Sequence, residues 1–384
     1  MKISTLLAAG VLATASLSTQ AQIIAVDGTL SAAEIGTTGY QLVGRYTGSH
    51  SFGDAGLLSL YVAADATKVY LFLAGTLETA SDNTVRNSLQ LYLGRPGITT
   101  GVATGVALPK PAASTPITSF TNVISKNDFP VDCALGVKGT TTAGQVQLDA
   151  AVYTGGTSPT AVSQPVATGI SVAGTPATVA ATGSYALFNG AVVAFKNSSK
   201  LSTNPGVSTG AAGATGLEIS LSRANLGVPA SGGPLYVFGL QNNADGDFFS
   251  SDIIPQNTGP APGADANGSL QRGPDFTAIP GQQYGVLQLS ATGGTLGSKA
   301  AAATRVFSVF PAPAPAGSMV QLRLAQPASQ ATYTLRNVLG QVVQTRAFAG
   351  EAAPVATEGL PAGTYLLTVE AAGQLATTSR VQVY

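Results

Sequence analysis

From Val320 to its last residue the sequence is written largely in period two, and this constrains the fold more than any other feature. Apolar and polar residues alternate through Val320-Gln-Leu-Arg-Leu, Tyr333-Thr-Leu-Arg-Asn-Val-Leu-Gly-Gln-Val-Val-Gln, Leu360-Pro-Ala-Gly-Thr-Tyr-Leu-Leu-Thr-Val-Glu and Ser379-Arg-Val-Gln-Val-Tyr. Successive side chains of a strand point to opposite faces, so this spacing buries one face and leaves the other in water. Gly340, Gly350, Gly363 and Gly373 punctuate the segments as turn residues do. The region opens on Phe307-Ser-Val-Phe-Pro-Ala-Pro, whose prolines no central strand would tolerate. The expectation for residues 306–384 is a small Ig-like antiparallel sandwich of about seven strands.

The same period returns upstream in shorter pieces. Leu57-Leu-Ser-Leu-Tyr-Val-Ala, Lys68-Val-Tyr-Leu-Phe-Leu-Ala and Asn87-Ser-Leu-Gln-Leu-Tyr-Leu-Gly read as consecutive strands, and the second, apolar on both faces, as a central one. Further strands are expected at 134–137, 146–153, 185–195, 217–221, 235–240 and 284–289. Helix reduces to one turn at Ser31-Ala-Ala-Glu34, a capping box, and one at Ser222–Gly227 with Gly227 as its stop. Residues 94–118 and 154–183 are Gly, Pro, Thr and Ala with little periodicity, and read as long surface loops. The fold class is therefore all-β: a large antiparallel β-sandwich over 22–296, a small-residue linker at 297–305, and the C-terminal sandwich at 306–384.

Composition narrows the function classes. Charged residues are only 9% of the chain, against about a quarter in an ordinary soluble domain. The 18 Lys and Arg balance the 18 Asp and Glu, so no basic stripe exists to neutralise phosphates, and nucleic acid is not an expected partner. The single cysteine, Cys133, sits in an apolar run and reads as a buried strand residue. The single histidine, His50, lies in the small polar stretch Thr47-Gly-Ser-His-Ser-Phe-Gly and reads as a loop residue; a multi-histidine zinc site is excluded by count.

Residues 1–21 carry one lysine, a short apolar run and Thr19-Gln-Ala21, the pattern of a secretory signal peptide, too short to span a membrane. No transmembrane segment is expected in the mature chain.

The C-terminal region also carries a resemblance. Phe307, Pro311 and Pro313, the Leu339-Gly340 hairpin, and Leu360, Gly363 and Tyr365 of Leu-Pro-Ala-Gly-Thr-Tyr are similar in order and spacing to the C-terminal sorting domain of type IX (Por) secretion substrates. Ala312 stands where that family usually has Asn. The resemblance implies passage through the periplasm, handling by the type IX machinery, and delivery outside the cell or to the outer-membrane surface of a Gram-negative bacterium.

Residues 24–289 resemble, more loosely, the sandwiches related to family nine carbohydrate-binding modules and DOMON domains, through Ala25-Val-Asp-Gly-Thr-Leu-Ser-Ala-Ala-Glu34, Val69-Tyr-Leu-Phe-Leu and Gly216-Leu-Glu-Ile-Ser-Leu-Ser-Arg-Ala-Asn-Leu-Gly. The chain has no Trp for the sugar clamps of the former, and Met319 and the lone His50 do not supply the haem ligands of the latter.

Three local patterns are candidate sites. In Gln241-Asn-Asn-Ala-Asp-Gly-Asp-Phe-Phe-Ser-Ser-Asp252, the oxygen-bearing Gln241, Asn243, Asp245, Asp247 and Asp252 follow the spacing of a calcium loop, with Gly246 at its turn; the alternative is an Asp-Gly hairpin whose side chains cap their own backbone. Tyr61 and Tyr92 alternate away from their apolar neighbours and would stack on sugar rings if they face solvent, or pack against another layer if they do not. Glu218 and Asp149 are the acids that a glycoside-cleaving pair would need in one cleft. The leading expectation is a non-enzymatic secreted or cell-surface protein that binds polysaccharide, with calcium as the only cofactor to consider. A structural or adhesive matrix protein and an extracellular hydrolase are the alternatives.

Overall fold

A computed structural model describes residues 24–111, 116–208, 210–256, 270, 273–279, 281–297, 307–310, 313–371 and 377–384. Residues 1–21, the expected signal peptide, most of the expected 297–305 linker, and Pro311 lie outside them. The chain divides into two compact units, one ending at Gly297 and one starting at Ser298.

In the first unit β1 (Gln41–Arg45), β2 (Gly56–Ala64) and β3 (Lys68–Thr76) form consecutive antiparallel pairs. The chain then crosses to a second sheet for β4 (Ser88–Gly94), β5 (Cys133–Gly139), β6 (Gln145–Thr154) and β7 (Thr160–Ser171). It returns to the first sheet with β8 (Ala177–Thr178), β9 (Val192–Phe195) and β10 (Gly216–Ser222), and ends in the second with β11 (Gly233–Asn242), β12 (Phe249–Ile254), β13 (Gly285–Leu289) and β14 (Gly294–Leu296). The sheet orders are β1-β2-β3-β10-β9-β8 and β14-β13-β11-β4-β5-β6-β7, with β12 paired to β11.

Alternation explains how the sheets meet. Leu57, Leu60 and Val62 of β2, Val69, Leu71 and Leu73 of β3, and Leu217 and Ile219 of β10 join Leu89, Leu91 and Leu93 of β4, Leu135 of β5 and Val237 of β11 in one buried cluster between the sheets. Cys133 belongs to it as a free thiol, and burial pushes that thiol well above its ordinary pKa. The strand β3 is central, as its two apolar faces require.

The opposite faces are covered as well. Residues 24–40 and 201–214 place Leu30, Tyr40, Leu201 and Ala214 over the first sheet, against Tyr61 and Phe72. Residues 95–132 place Val102, Leu108, Phe120, Val123 and Phe129 over the second, against Tyr92, Phe238 and Leu240. Each sheet is thus buried on both sides over its central strands, and this corrects two expectations. Beyond Gly94, which ends β4, the described residues of 94–118 form no regular strand but contribute buried apolar residues to this cover. About half of 154–183 is strand, chiefly as β7 and β8; Ala161 and Ser163 supply the buried alternate positions at the start of β7, small residues that do not read as a hydrophobic pattern. In the expected strand 185–195, Gly183–Phe188 is a 3-10 turn and only Val192–Phe195 is extended.

The first cover is pinned by two buried glutamates. Glu34 closes the capping box: its Oε2 accepts the Ser31 N–H at 3.0 Å and its Oε1 the Ala25 N–H at 2.8 Å. Glu218, on the covered face of β10, accepts the Asp27 and Gly28 N–H groups on Oε2 at 2.9 and 2.8 Å and the Tyr40 hydroxyl on Oε1 at 2.7 Å. Burial pushes the Glu218 carboxyl from 4.5 up to about 7, against those three hydrogen bonds, which lower it. A group bound to its proton more tightly when folded stabilises the fold below its unfolded pKa, and that stabilisation is lost as pH rises toward the folded value. The stability of wild type relative to Glu218→Gln is therefore expected to fall between pH 4.5 and 7, by on the order of 3 kcal/mol at most. Urea unfolding of both chains across that range checks it; a pH-independent difference contradicts it.

The second unit is one sheet of five described strands: β15 (Phe307–Phe310), β16 (Met319–Asn337), β17 (Val342–Ala356), β18 (Gly363–Ala371) and β19 (Thr377–Val383). The expected count of about seven was too high because 320–324 and 333–337 belong to one long strand, β16. Its pairing with β17 shifts between Arg323 and Ala331, so an irregularity replaces the expected turn. The segment after β15 adds to β19 through Ala314 and Val383, bringing the two ends of the sheet together. Phe307, Val320, Leu322, Tyr333, Val355, Tyr365, Leu367 and Val381 fill the interior.

Candidate functional site

The turns at one end of β4, β5, β6 and β11 enclose a polar groove of about 730 Å³. Asp82, Thr84, Arg86 and Asn87 come from the loop before β4, Lys138, Thr140 and Thr141 from the β5–β6 hairpin, Gln147 from β6, and Asn243 and Asp245 from the β11–β12 turn. Asn83 and Asn87 adopt left-handed backbone, at φ of 61° and 66°, where Asn is tolerated better than most residues. The Gly139 N–H donates to the Asn87 carbonyl at 3.1 Å, so hairpin and loop are laced together.

Its charges are partly committed. Lys138 donates Nζ–H to the Ile117 carbonyl at 2.6 Å, and burial pulls its pKa down against the pull of Asp149 and Asp245. Asp245 accepts from Asn122 Nδ2 at 3.1 Å. Hydrogen bonds from Thr84 hold the exposed Asp82 carboxyl below its usual value. Arg86 stands 3.8 Å from Glu78 and is well exposed, which leaves its guanidinium open to a ligand. The groove can thus offer a fork of donors, carboxylate acceptors and threonine hydroxyls within one polar cavity.

The expected calcium loop is not assembled. Asn243 Oδ1 accepts the Gly246, Asp247 and Phe248 N–H groups at 2.9, 3.0 and 3.3 Å, and its Nδ2 donates to Asp247 Oδ1 at 2.7 Å. The stretch is a β11–β12 hairpin turn capped by its own side chains. Gln241 and Asp252 lie on strands instead, both fully buried. Asp252 Oδ2 accepts the Leu57 N–H at 2.8 Å and meets His50 Nδ1 at 2.5 Å, while its Oδ1 accepts from Ser250 at 2.8 Å. Among the described residues no three acidic, His or Cys side chains converge as metal ligands.

The tyrosine expectation is corrected too. Tyr61 and Tyr92 are 2% and 0% exposed, because both belong to central strands whose far faces are covered. Tyr92 donates to Gln90 Oε1 at 2.6 Å and packs on Phe120 and Phe238. The half-buried tyrosines of the second sheet are Tyr236 and Tyr284. Nothing in the local pattern separates them from Tyr92; what differs is where the covering segment ends. Glu218 and Asp149 do not share a cleft: they lie on different sheets, and Asp149 is buried, accepting from the Ser119 N–H at 2.6 Å and Gln147 Nε2 at 2.7 Å.

In the second unit the motif residues divide by role. Phe307 and Tyr365 are buried, and Tyr365 donates to the Pro361 carbonyl at 2.8 Å. Leu339 and Gly340 form the β16–β17 turn, where Asn337 Oδ1 accepts the Leu339 and Gln341 N–H groups at 3.0 Å each and Gly340 takes φ of 80°. Val338 and Leu339 at that tip are 70% and 80% exposed, with Val342 and Val343 beside them. Pro313 and Leu360 flank the sheet, and Gly363 starts β18.

No curated protein matches the chain. Among solved structures it is similar to dimeric latent PorU from Porphyromonas gingivalis, at 12% identity and a TM-score of 0.17 over 82% of this chain and 31% of that one. It is also similar to a polysaccharide lyase, at 10% identity and a TM-score of 0.17 over 91% of this chain and 47% of that one. The chain spans less than half the length of either. No described helix is long and apolar enough to cross a membrane. The family description "secretion system C-terminal sorting domain" matches residues 308–383, which cover all five strands of the second unit but for Phe307, so the second unit is a type IX sorting domain and the chain carries a type IX export signal.

Proposed function

We propose that the chain is an exported, non-enzymatic binding protein of the cell surface or surroundings, and that its groove takes a hydroxyl-rich polysaccharide. The observation that carries the reading is the groove's lining: an open guanidinium at Arg86, carboxylates at Asp82 and Asp245, and the hydroxyls of Thr140 and Thr141 around one cavity. A sugar polymer presents donors and acceptors in alternation, and such a lining can pair with both without a net charge on the ligand. The mature full-length chain is expected to be retained by at least one immobilised polysaccharide, and Arg86→Ala to weaken retention about tenfold, equivalent to about 1.4 kcal/mol. Retention by no polysaccharide, or release of shortened sugars from one, contradicts the reading.

The exposed apolar tip of the sorting domain is proposed as the part read by the export machine. Leu339→Asp is expected to cut the amount outside the cell several-fold while leaving the melting temperature within a degree or two, since the side chain is outside the core. Normal export of the variant contradicts this.

A further inference from the structure

The outer face of the eight-stranded sheet emerges from its cover at β11 and β13. There the register pairs Tyr236 with Val286 and Pro234 with Gln288, and Tyr284 precedes Val286 by two residues, so these side chains share one face. Unlike Phe238 and Leu240 farther along β11, which are fully under the cover, Tyr236, Tyr284 and Val286 are only partly buried and Gln288 is exposed.

The two rings stand 5.3 Å apart at 78°, forming a corner. Phe129 closes it from below, stacked on Tyr236 at 6.0 Å and 5.4 Å from Tyr284. Within the described residues neither phenol makes a hydrogen bond to protein, so both hydroxyls are free to donate or accept. By contrast Tyr40, Tyr46, Tyr70 and Tyr92 all spend their hydroxyls inside the fold. Asp128 holds the approach to Tyr284 by accepting the Gln283 N–H on Oδ2 at 2.6 Å.

We propose that Tyr236 and Tyr284 form a sugar-stacking site, with Asp128 as a positioning residue, that takes a neutral hexose or pentose unit of a polysaccharide. The face carries no charged side chain of its own, so it suits an uncharged ligand. The apolar C–H face of a pyranose is complementary to an aromatic ring, and free phenol hydroxyls at the corner can pair with the ring substituents. Burial lifts the Asp128 carboxyl to about 6, and that carboxyl is turned to the Gln283 N–H rather than offered on the face. The site rests on the reading of the first unit as a polysaccharide binder, but on different residues from the groove.

The chain has no tryptophan, so its ultraviolet emission comes chiefly from its 12 tyrosines, Tyr236 and Tyr284 among them. Titrating the mature full-length chain with soluble xylan, mannan and dextran is expected to change that emission with at least one of them. Tyr284→Ala and Tyr236→Ala should each weaken binding about tenfold, and Tyr284→Phe, which keeps the ring, by no more than about threefold. Asp128→Asn should weaken it while the emission change at saturation also shrinks, as a displaced Tyr284 requires and a general loss of stability does not; melting temperatures identify any variant that fails to fold. Binding lost in Arg86→Ala but unchanged in the Tyr236→Phe, Tyr284→Phe and Tyr284→Ala chains overturns the stacking site and leaves the polysaccharide reading standing. Binding of none of the three polymers by the wild-type chain overturns the stacking site, and retention of some other polymer would then preserve the broader reading alone.

Discussion

A chain ending at Gly297 is expected to fold and to stay in the periplasm. Its three buried clusters draw only on its own residues, and the sorting domain has a separate core, so removing 298–384 leaves those clusters complete. What it takes away is the matched sorting region, residues 308–383. In cells with a working type IX system, fractionation and immunoblotting should find nearly all of the shortened chain inside the outer membrane and the full-length chain outside. Circular dichroism of the shortened chain should retain the strand signal of the first unit. A shortened chain that is absent because it unfolds and is degraded would contradict the independence of the two units; one that appears outside at normal levels would contradict the role of the tail.

Replacement of Gly139 by alanine should have the largest effect of any single methyl group in the groove. A Cβ at that position would overlap the Val85 carbonyl and approach the Arg86 N–H, which are backbone atoms that cannot rotate aside. Either the β5–β6 hairpin or the loop before β4 must move, and the Gly139 to Asn87 hydrogen bond goes with it. Overpacking of this kind costs roughly 1–3 kcal/mol and sometimes more. Since both walls line the groove, the same change should abolish polysaccharide retention at temperatures where the chain is still folded. Urea unfolding and affinity electrophoresis of Gly139→Ala test the two halves; an unchanged midpoint would contradict the packing, and unchanged retention would move the ligand away from the groove.

How much of this was legible depends on what each residue reports. The strands β2, β3 and β4 announce themselves because Leu and Val fill their alternate positions, and Glu34 announces its capping box by spacing alone. Strand β7 was hidden because Ala161 and Ser163, two of its three buried positions, look like loop composition, and Ile170 stands alone as a large apolar one. Alternation places Tyr61 and Tyr92 opposite the leucines but does not say whether that face is wet or covered, because the second layer that buries them comes from segments 24–40 and 95–132, far away in sequence and weak in periodicity. The oxygen spacing from Gln241 to Asp252 fits a calcium loop only if the stretch is one loop; as parts of two strands and a turn, its ends point into the fold and its middle caps itself. The groove was not legible as a site, since it joins three segments far apart in sequence, of which only the Asn243 and Asp245 stretch carried a signal of its own. The sorting domain was legible because its motif residues build the turn and core of a single unit.

The most direct measurement of the central claim is transfer of the signal. An unrelated periplasmic passenger that keeps its own periplasmic leader and is given residues 298–384 at its end should be recovered outside cells that have a type IX system, and inside cells that lack one. Retention of that fusion in the periplasm of both strains, with the passenger folded, would contradict the claim that the second unit is sufficient to direct export.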